Sequence, residues 1–152
     1  MSVNNTVQGA RRRARDYVHP TMAGAYAFAH CPSAIEIDGW VYLTGVVAAP
    51  TAEEGGDLTP AFERAFAQIG EVLSMSGCGW DDVVKLTSFH LDIAKELETM
   101  VQVKNRHITQ APFPAWSVLG AGSLANPLGV CEIEVIARLT TGERSDERVL
   151  AQ

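Results

Sequence analysis

Two carboxylates, Glu132 and Glu134, interrupt an apolar run, Gly129-Val-Cys-Glu-Ile-Glu-Val-Ile-Ala-Arg-Leu139. Cys131, Ile133, Val135, Ala137 and Leu139 alternate with Val130, Glu132, Glu134, Ile136 and Arg138. That period of two predicts a strand with the first set packed and both carboxylates on the opposite face. A carboxylate held at the wall of a cleft can orient or deprotonate a water molecule. Glu132 is the first candidate for that work, and Glu134 shares its face. Cys131 points the other way and reads as core. The four histidines, His19, His30, His90 and His107, have no metal-ligand spacing and read as structural or surface residues. Cys31, Cys78 and Cys131 are widely spaced and odd in number, which suits free thiols rather than a disulfide framework or a zinc site. The chain has no G-x-S-x-G elbow, phosphate-binding glycine loop or dinucleotide fingerprint. Ser117 follows Trp116 in a strand rather than in a strained turn, which argues against serine nucleophilic chemistry.

The elements that must position Glu132 can be read in order. The 152 residues, 47% hydrophobic, suffice for one domain with a sizeable core. Residues 1–19 form a basic arm, 20–139 the folded domain and 140–152 a polar tail. Tyr26-Ala-Phe-Ala-His30 alternates and predicts a strand. Ala34-Ile-Glu-Ile37 and Trp40-Val-Tyr-Leu-Thr44 flank Asp38-Gly39, a strong hairpin signal because both turn residues tolerate positive φ. Thr59-Pro60 opens a helix, with Thr59 as its cap, and Phe62, Ala65, Phe66, Ile69, Val72 and Leu73 supply its apolar stripe. Val83–Leu91 predicts a long strand. A second helix runs from about Ala94 to Ile108, with Leu97, Met100, Val101, Lys104 and Ile108 on one side, and Pro112 and Pro114 stop it. Ala111–Gly120 and Gly129–Leu139 then read as a closing strand pair joined by a Gly/Asn/Pro turn. The order β-β-β-α-β-α-β-β predicts an α+β fold whose two helices cover one face of a mixed sheet. The other face calls for a second subunit.

Charge restricts the partners. Arg11, Arg12, Arg13 and Arg15 make the first fifteen residues basic, whereas residues 16–139 carry six Lys/Arg against fifteen Asp/Glu. An acidic body argues against nucleic-acid binding, which needs clustered positive charge to release counterions. No apolar stretch approaches the ~20 residues of a membrane span. The arginine-rich start lacks the apolar run of a secretory signal. With free thiols, these features predict a cytoplasmic location.

Taken together, Ala23-Gly-Ala-Tyr26, Val41-Tyr-Leu-Thr-Gly45, Asp82-Val-Val-Lys-Leu-Thr87, Phe113-Pro-Ala-Trp116 and Cys131-Glu-Ile-Glu-Val-Ile-Ala137 resemble the Rid/YjgF family of small trimeric imine deaminases. The resemblance implies a chorismate-mutase-like, RidA-like fold. It also implies a homotrimeric barrel with small-molecule clefts between subunits and no cofactor. It matches the family's water-positioning carboxylate to Glu132, its polar residue before the hairpin glycine to Thr44, and its tyrosine to Tyr26. Thr44 would donate to a substrate oxygen. Where the family's deaminases hold a substrate carboxylate with an arginine after Pro-Ala, this chain has Trp116, and Val118 stands where many members have cysteine. A guanidinium is a charged, bidentate fork, whereas an indole offers one neutral donor and an apolar face. Arg64, Arg106 and Arg138 fall on helices or a strand end and do not replace it. The resemblance thus implies hydrolysis of a small imine, enamine or related reactive metabolite, pathway-specific rather than general 2-aminoacrylate clearance. The alternative is a non-catalytic trimer that binds a metabolite or a protein. Ribonuclease activity, attached to some relatives, conflicts with the acidic body.

Overall fold

The computed structural model describes residues 14–140. Its strands are β1 (Ala14–Tyr17), β2 (Ala34–Ile37), β3 (Trp40–Leu43), β4 (Val46–Ala48), β5 (Val83–His90), β6 (Ala115–Gly120) and β7 (Cys131–Arg138), and its helices α1 (Ala23–Ala29), α2 (Thr59–Met75) and α3 (Ile93–His107). The strands form one mixed sheet in the order β1-β2-β3-β7-β5-β6, with β4 also on β7. The fold is α+β, as expected. Phe62, Phe66, Ile69 and Leu73 of α2 and Met100 and Val103 of α3 pack on Leu86, Ile133 and Val135 of the sheet. The hairpin turn takes the expected conformation, with Asp38 at φ 52° and Gly39 at φ 79°, and Ile37 pairs with Trp40.

Several expectations need correction. Tyr26–His30 is not a strand, because alanine at positions 23, 25, 27 and 29 favours helix. No residue of α1 is buried, so the alternation marks no packed face. His30 ends the helix in the left-handed conformation, and its N–H donates to Tyr26 O. Part of the basic arm joins the sheet, since Ala14–Tyr17 pairs antiparallel with Ala34–Ile37. Only Tyr17 of β1 is buried, so backbone pairing rather than apolar patterning makes this strand. The remainder of the arm and residues 141–152 lie outside the described residues.

Thr59 is the first residue of α2, not its cap; Leu58 holds that position and Asp57 Oδ1 accepts the Thr59 N–H. Of the stripe expected for the second helix, Met100 and Ile108 are buried, but Leu97, Val101 and Lys104 are only partly so, and Glu96 and Val103 take the other buried positions. The last two strands do not pair. β6 runs parallel to β5 and β7 antiparallel to it, so β5 lies between them. Residues 121–130 are long enough to cross that strand, whereas a direct hairpin needs only two loop residues.

Candidate active site

β3 and β4 are one bent strand along β7. Tyr42 pairs with Ile136 and Val46 with Ile133, so Leu43, Thr44 and Gly45 oppose only Glu134 and Val135. The extra residue is a β-bulge, a device that redirects side chains beside functional sites. At this bulge Thr44 Oγ1 donates to Pro32 O at 2.6 Å, with Cys31 Sγ 3.7 Å from the same hydroxyl. Its proton committed, Thr44 faces a ligand as an acceptor, not as the donor expected. Gly45 lies under Glu132: a Cβ there would stand 2.7 Å from Glu132 Cδ and Cγ, and nearer to Oε1. The glycine thus makes the space the carboxylate occupies.

Glu132 and Thr44 line one open cleft of about 490 Å³. Met22, Gly45, Val47, Gln68 and Asn126 share its wall, and none of the lining residues is a lysine or arginine. Glu132 is half-buried, and its carboxylate has no hydrogen bond from any described residue. A carboxylate so placed is open to water and to a cationic or neutral ligand.

Trp116 and Tyr26 are not in this cleft. Glu132 pairs with Phe89, which pairs with Leu119, so these share the face away from the helices. Trp116 pairs with Leu86, a core residue, and therefore sits on the helix-covered face. There its Nε1 donates to Ser88 Oγ at 2.9 Å, and the Lys104 ammonium stands over its ring. Tyr26 lies on α1, 40% exposed, and donates to Asp16 Oδ2 at 2.7 Å. That bond, together with the Asp16 charge, holds its phenol above the ordinary pKa. The body's arginines are engaged elsewhere: Arg64 with Glu54, Arg106 with Glu63, and Arg138 over the Trp40 ring.

One polar assembly escaped the sequence reading. Ser88 and His90 are fully buried, with His90 Nε2 2.9 Å from Ser88 Oγ and His90 Nδ1 2.8 Å from Glu96 Oε2. Glu96 Oε1 accepts the Asp92 N–H, so the chain of bonds runs from the start of α3 to the indole of Trp116. The connectivity is that of a Ser-His-acid triad, but the hydroxyl is sealed in the core and already accepts a bond from Trp116. Its role is to fix the indole. The signal was there: Ser88 and His90 have the same strand parity as core Leu86. Burial also pushes the adjacent Cys131 thiol far above its ordinary range, with the charges of Glu96 and Glu132 adding to the effect. Among the described residues no cluster could hold a metal ion, and no helix is long and apolar enough to cross a membrane.

A family model described as Endoribonuclease L-PSP matches residues 21–139. The chain belongs to this family, the Rid/YjgF proteins. Among Rid/YjgF proteins, the RutC family protein YjgH of Escherichia coli is 32% identical over 118 residues, covering 75% of this chain and 86% of that protein. A 2-iminobutanoate/2-iminopropanoate deaminase of Bos taurus is 30% identical over 123 residues, covering 78% and 82%. The solved YjgH structure is similar with a TM-score of 0.67 at 30% identity, over 77% of this chain and 89% of that one. Rv2704 of Mycobacterium tuberculosis shares the Rid/YjgF fold with a TM-score of 0.71 at 18% identity, over 83% and 99%.

Proposed function

We propose that this chain hydrolyses a small imine or enamine, with Glu132 as the group that orients and deprotonates the attacking water. The observation that carries the reading is the Glu132 carboxylate, seated over Gly45 beside Thr44 and free of hydrogen bonds from described residues. In the reaction, water adds across the C=N bond, giving up one proton to Glu132 as its oxygen bonds to carbon. Return of that proton to nitrogen gives a carbinolamine; Glu132 then moves the hydroxyl proton to the same nitrogen, ammonia leaves as the carbonyl forms, and the carboxylate ends unchanged. An enamine enters the same path after protonation at carbon. Thr44, with its own proton on Pro32 O, can accept an N–H from the substrate. The name of the bovine relative supports the reaction class.

The absence of a cation among the cleft's lining residues favours a substrate that does not depend on a carboxylate clamp there, in keeping with a pathway-specific role. Cofactor-free catalysis in clefts completed by a homotrimer is part of the proposal. So are substrate-binding roles for Trp116 and Tyr26, which a single chain leaves outside the Glu132 cleft.

The test is ammonia release from enzymatically generated imines, with and without a carboxylate, by wild type and Glu132→Gln. Acceleration should fall by about 10²-fold or more in the variant, the scale of a lost general base. If no imine or enamine is turned over faster with the protein than without it, the deaminase reading fails. Binding without turnover by wild type, retained in Glu132→Gln, would identify a metabolite-binding protein instead.

A further inference from the structure

The hydrogen-bond directions along one wall of the Glu132 cleft follow from a single ring. His19 precedes the short helical turn Pro20–Met22, and its Nδ1 accepts the Thr21 N–H at 3.3 Å. A ring nitrogen that accepts from a backbone amide carries no proton. The proton of this neutral ring is therefore on Nε2, which donates to Glu71 Oε2 of α2 at 2.6 Å. Nδ1 also lies 2.8 Å from Thr21 Oγ1, so the Thr21 hydroxyl is the donor of that pair. Thr21 Oγ1 in turn accepts from Gln68 Nε2 of α2 at 3.1 Å. The amide nitrogen of Gln68 is thus fixed at Thr21, and Gln68 Oε1 has no partner among the described residues. The same segment is tied to the bulge, because the His19 N–H donates to Ser33 Oγ and Ser33 O accepts the Thr44 N–H.

Thr21, Thr44, Gln68, Asn126 and Glu132 are the polar side chains that line this cleft. Thr21 and Thr44 have both committed their protons, Gln68 offers Oε1, and Glu132 offers its carboxylate. The donors left are the Asn126 amide, whose Oδ1 accepts the Leu128 N–H, and the second N–H of Gln68. Both are neutral, and Glu132 supplies the only charge of the lining. Met22, Ala25 and Val47 add apolar wall. A ligand that satisfies these groups brings several N–H donors, one positive charge and a hydrocarbon body. A simple imine brings at most one N–H. A protonated amidine brings two NH2 groups in one plane, a delocalised positive charge, and a carbon of the kind that water attacks in the reaction assigned to Glu132.

We propose that the cleft selects small protonated amidines, and that Gln68 Oε1 is the acceptor that, beside Thr44 and Glu132, separates them from neutral and anionic ligands. As a statement about substrate, this rests on the reading of the cleft as the reaction site. One C–O bond forms and one C–N bond breaks, so an amidinium ion and water become an amide and ammonium. Both protons of the water pass to the departing nitrogen, with Glu132 as their carrier, and nothing is oxidised or reduced.

Benzamidine, which is protonated in neutral solution, is titrated calorimetrically into the full-length protein beside its near-isosteres benzamide and benzoate. Saturable binding of benzamidine is expected, with the neutral amide about tenfold weaker or more and the anion weaker still. Gln68→Leu and Glu132→Gln should each weaken benzamidine about tenfold or more, the effect of losing a hydrogen bond to a charged group. Thr21→Val, which removes the hydroxyl that holds the Gln68 amide, should also weaken it, and Thr21→Ser should restore it. The proposal is overturned by absence of saturable benzamidine binding, by equal binding of benzamide or benzoate, or by a folded Gln68→Leu or Thr21→Val protein that binds like wild type. If imines are hydrolysed while benzamidine fails to bind, this inference falls and the reaction stands. If benzamidine binds as described and no imine is hydrolysed, the reaction falls and the cleft remains an amidinium-binding site.

Discussion

A carboxylate in the middle of a sheet reaches a ligand only if the neighbouring strand leaves room for it, and Gly45 leaves that room for Glu132. Gly45 is not among the positive-φ glycines, so alanine there meets no backbone penalty, only the side chain it would strike. Gly45→Ala is therefore expected to act through Glu132. The carboxylate must change rotamer, and ammonia release should drop on the order of 10²-fold, as for a 1 Å misplacement. Stability should fall by only about 1–3 kcal/mol, the ordinary cost of overpacking. Matched urea melts and rate measurements would separate the two effects, and unchanged activity would detach Glu132 from the chemistry. Glu132 was legible in the sequence because strand parity alone puts it opposite Cys131. The face taken by Trp116 was not, because it follows from the parallel register with Leu86, which no local pattern encodes.

Among the elements, those with strong local chemistry were read correctly. Asp38-Gly39 dictates its own turn, and the stripe from Phe62 to Leu73 dictates α2. Elements set by tertiary pairing were missed: β1 depends on β2, and β6 finds β5 instead of its successor. The junction between α2 and α3 is likewise invisible in either helix alone. Phe66 stacks on Trp80 and His107, and beside them Glu63 accepts from His107 Nε2 at 3.0 Å and from Arg106. These partners, His107 first, hold the Glu63 carboxyl below its ordinary pKa. A depressed carboxylate contributes stability that is present above its unfolded value, about 4.3, and lost as pH falls through the folded value. Glu63→Gln should therefore flatten the loss of stability on the acid side below about pH 4.3. Urea midpoints between pH 6 and pH 3 would show it. The effect should be small, because the pair is partly exposed, and parallel pH profiles for variant and wild type would assign the acid dependence to other groups.

For the whole molecule, Trp40, Tyr42, Phe89, Leu119, Glu132 and Ile136 share the sheet face opposite the buried core positions. Tyr42 and Leu119 are each more than 40% exposed. Association through this face is the expected remedy, and sedimentation equilibrium should give three times the 16.4 kDa chain mass over a wide concentration range. A persistent monomer would mean that each cleft is built by one chain alone. The position of β7 bears on how the chain is made. Among the described strands this one is the last to leave the ribosome, yet it is the one on which β3, β4 and β5 all pair. Until Cys131–Arg138 emerges, those three strands wait with unsatisfied edges, the state in which nascent β-proteins aggregate. The search that brings Cys131–Arg138 between β3 and β5 is then the long-range step of folding.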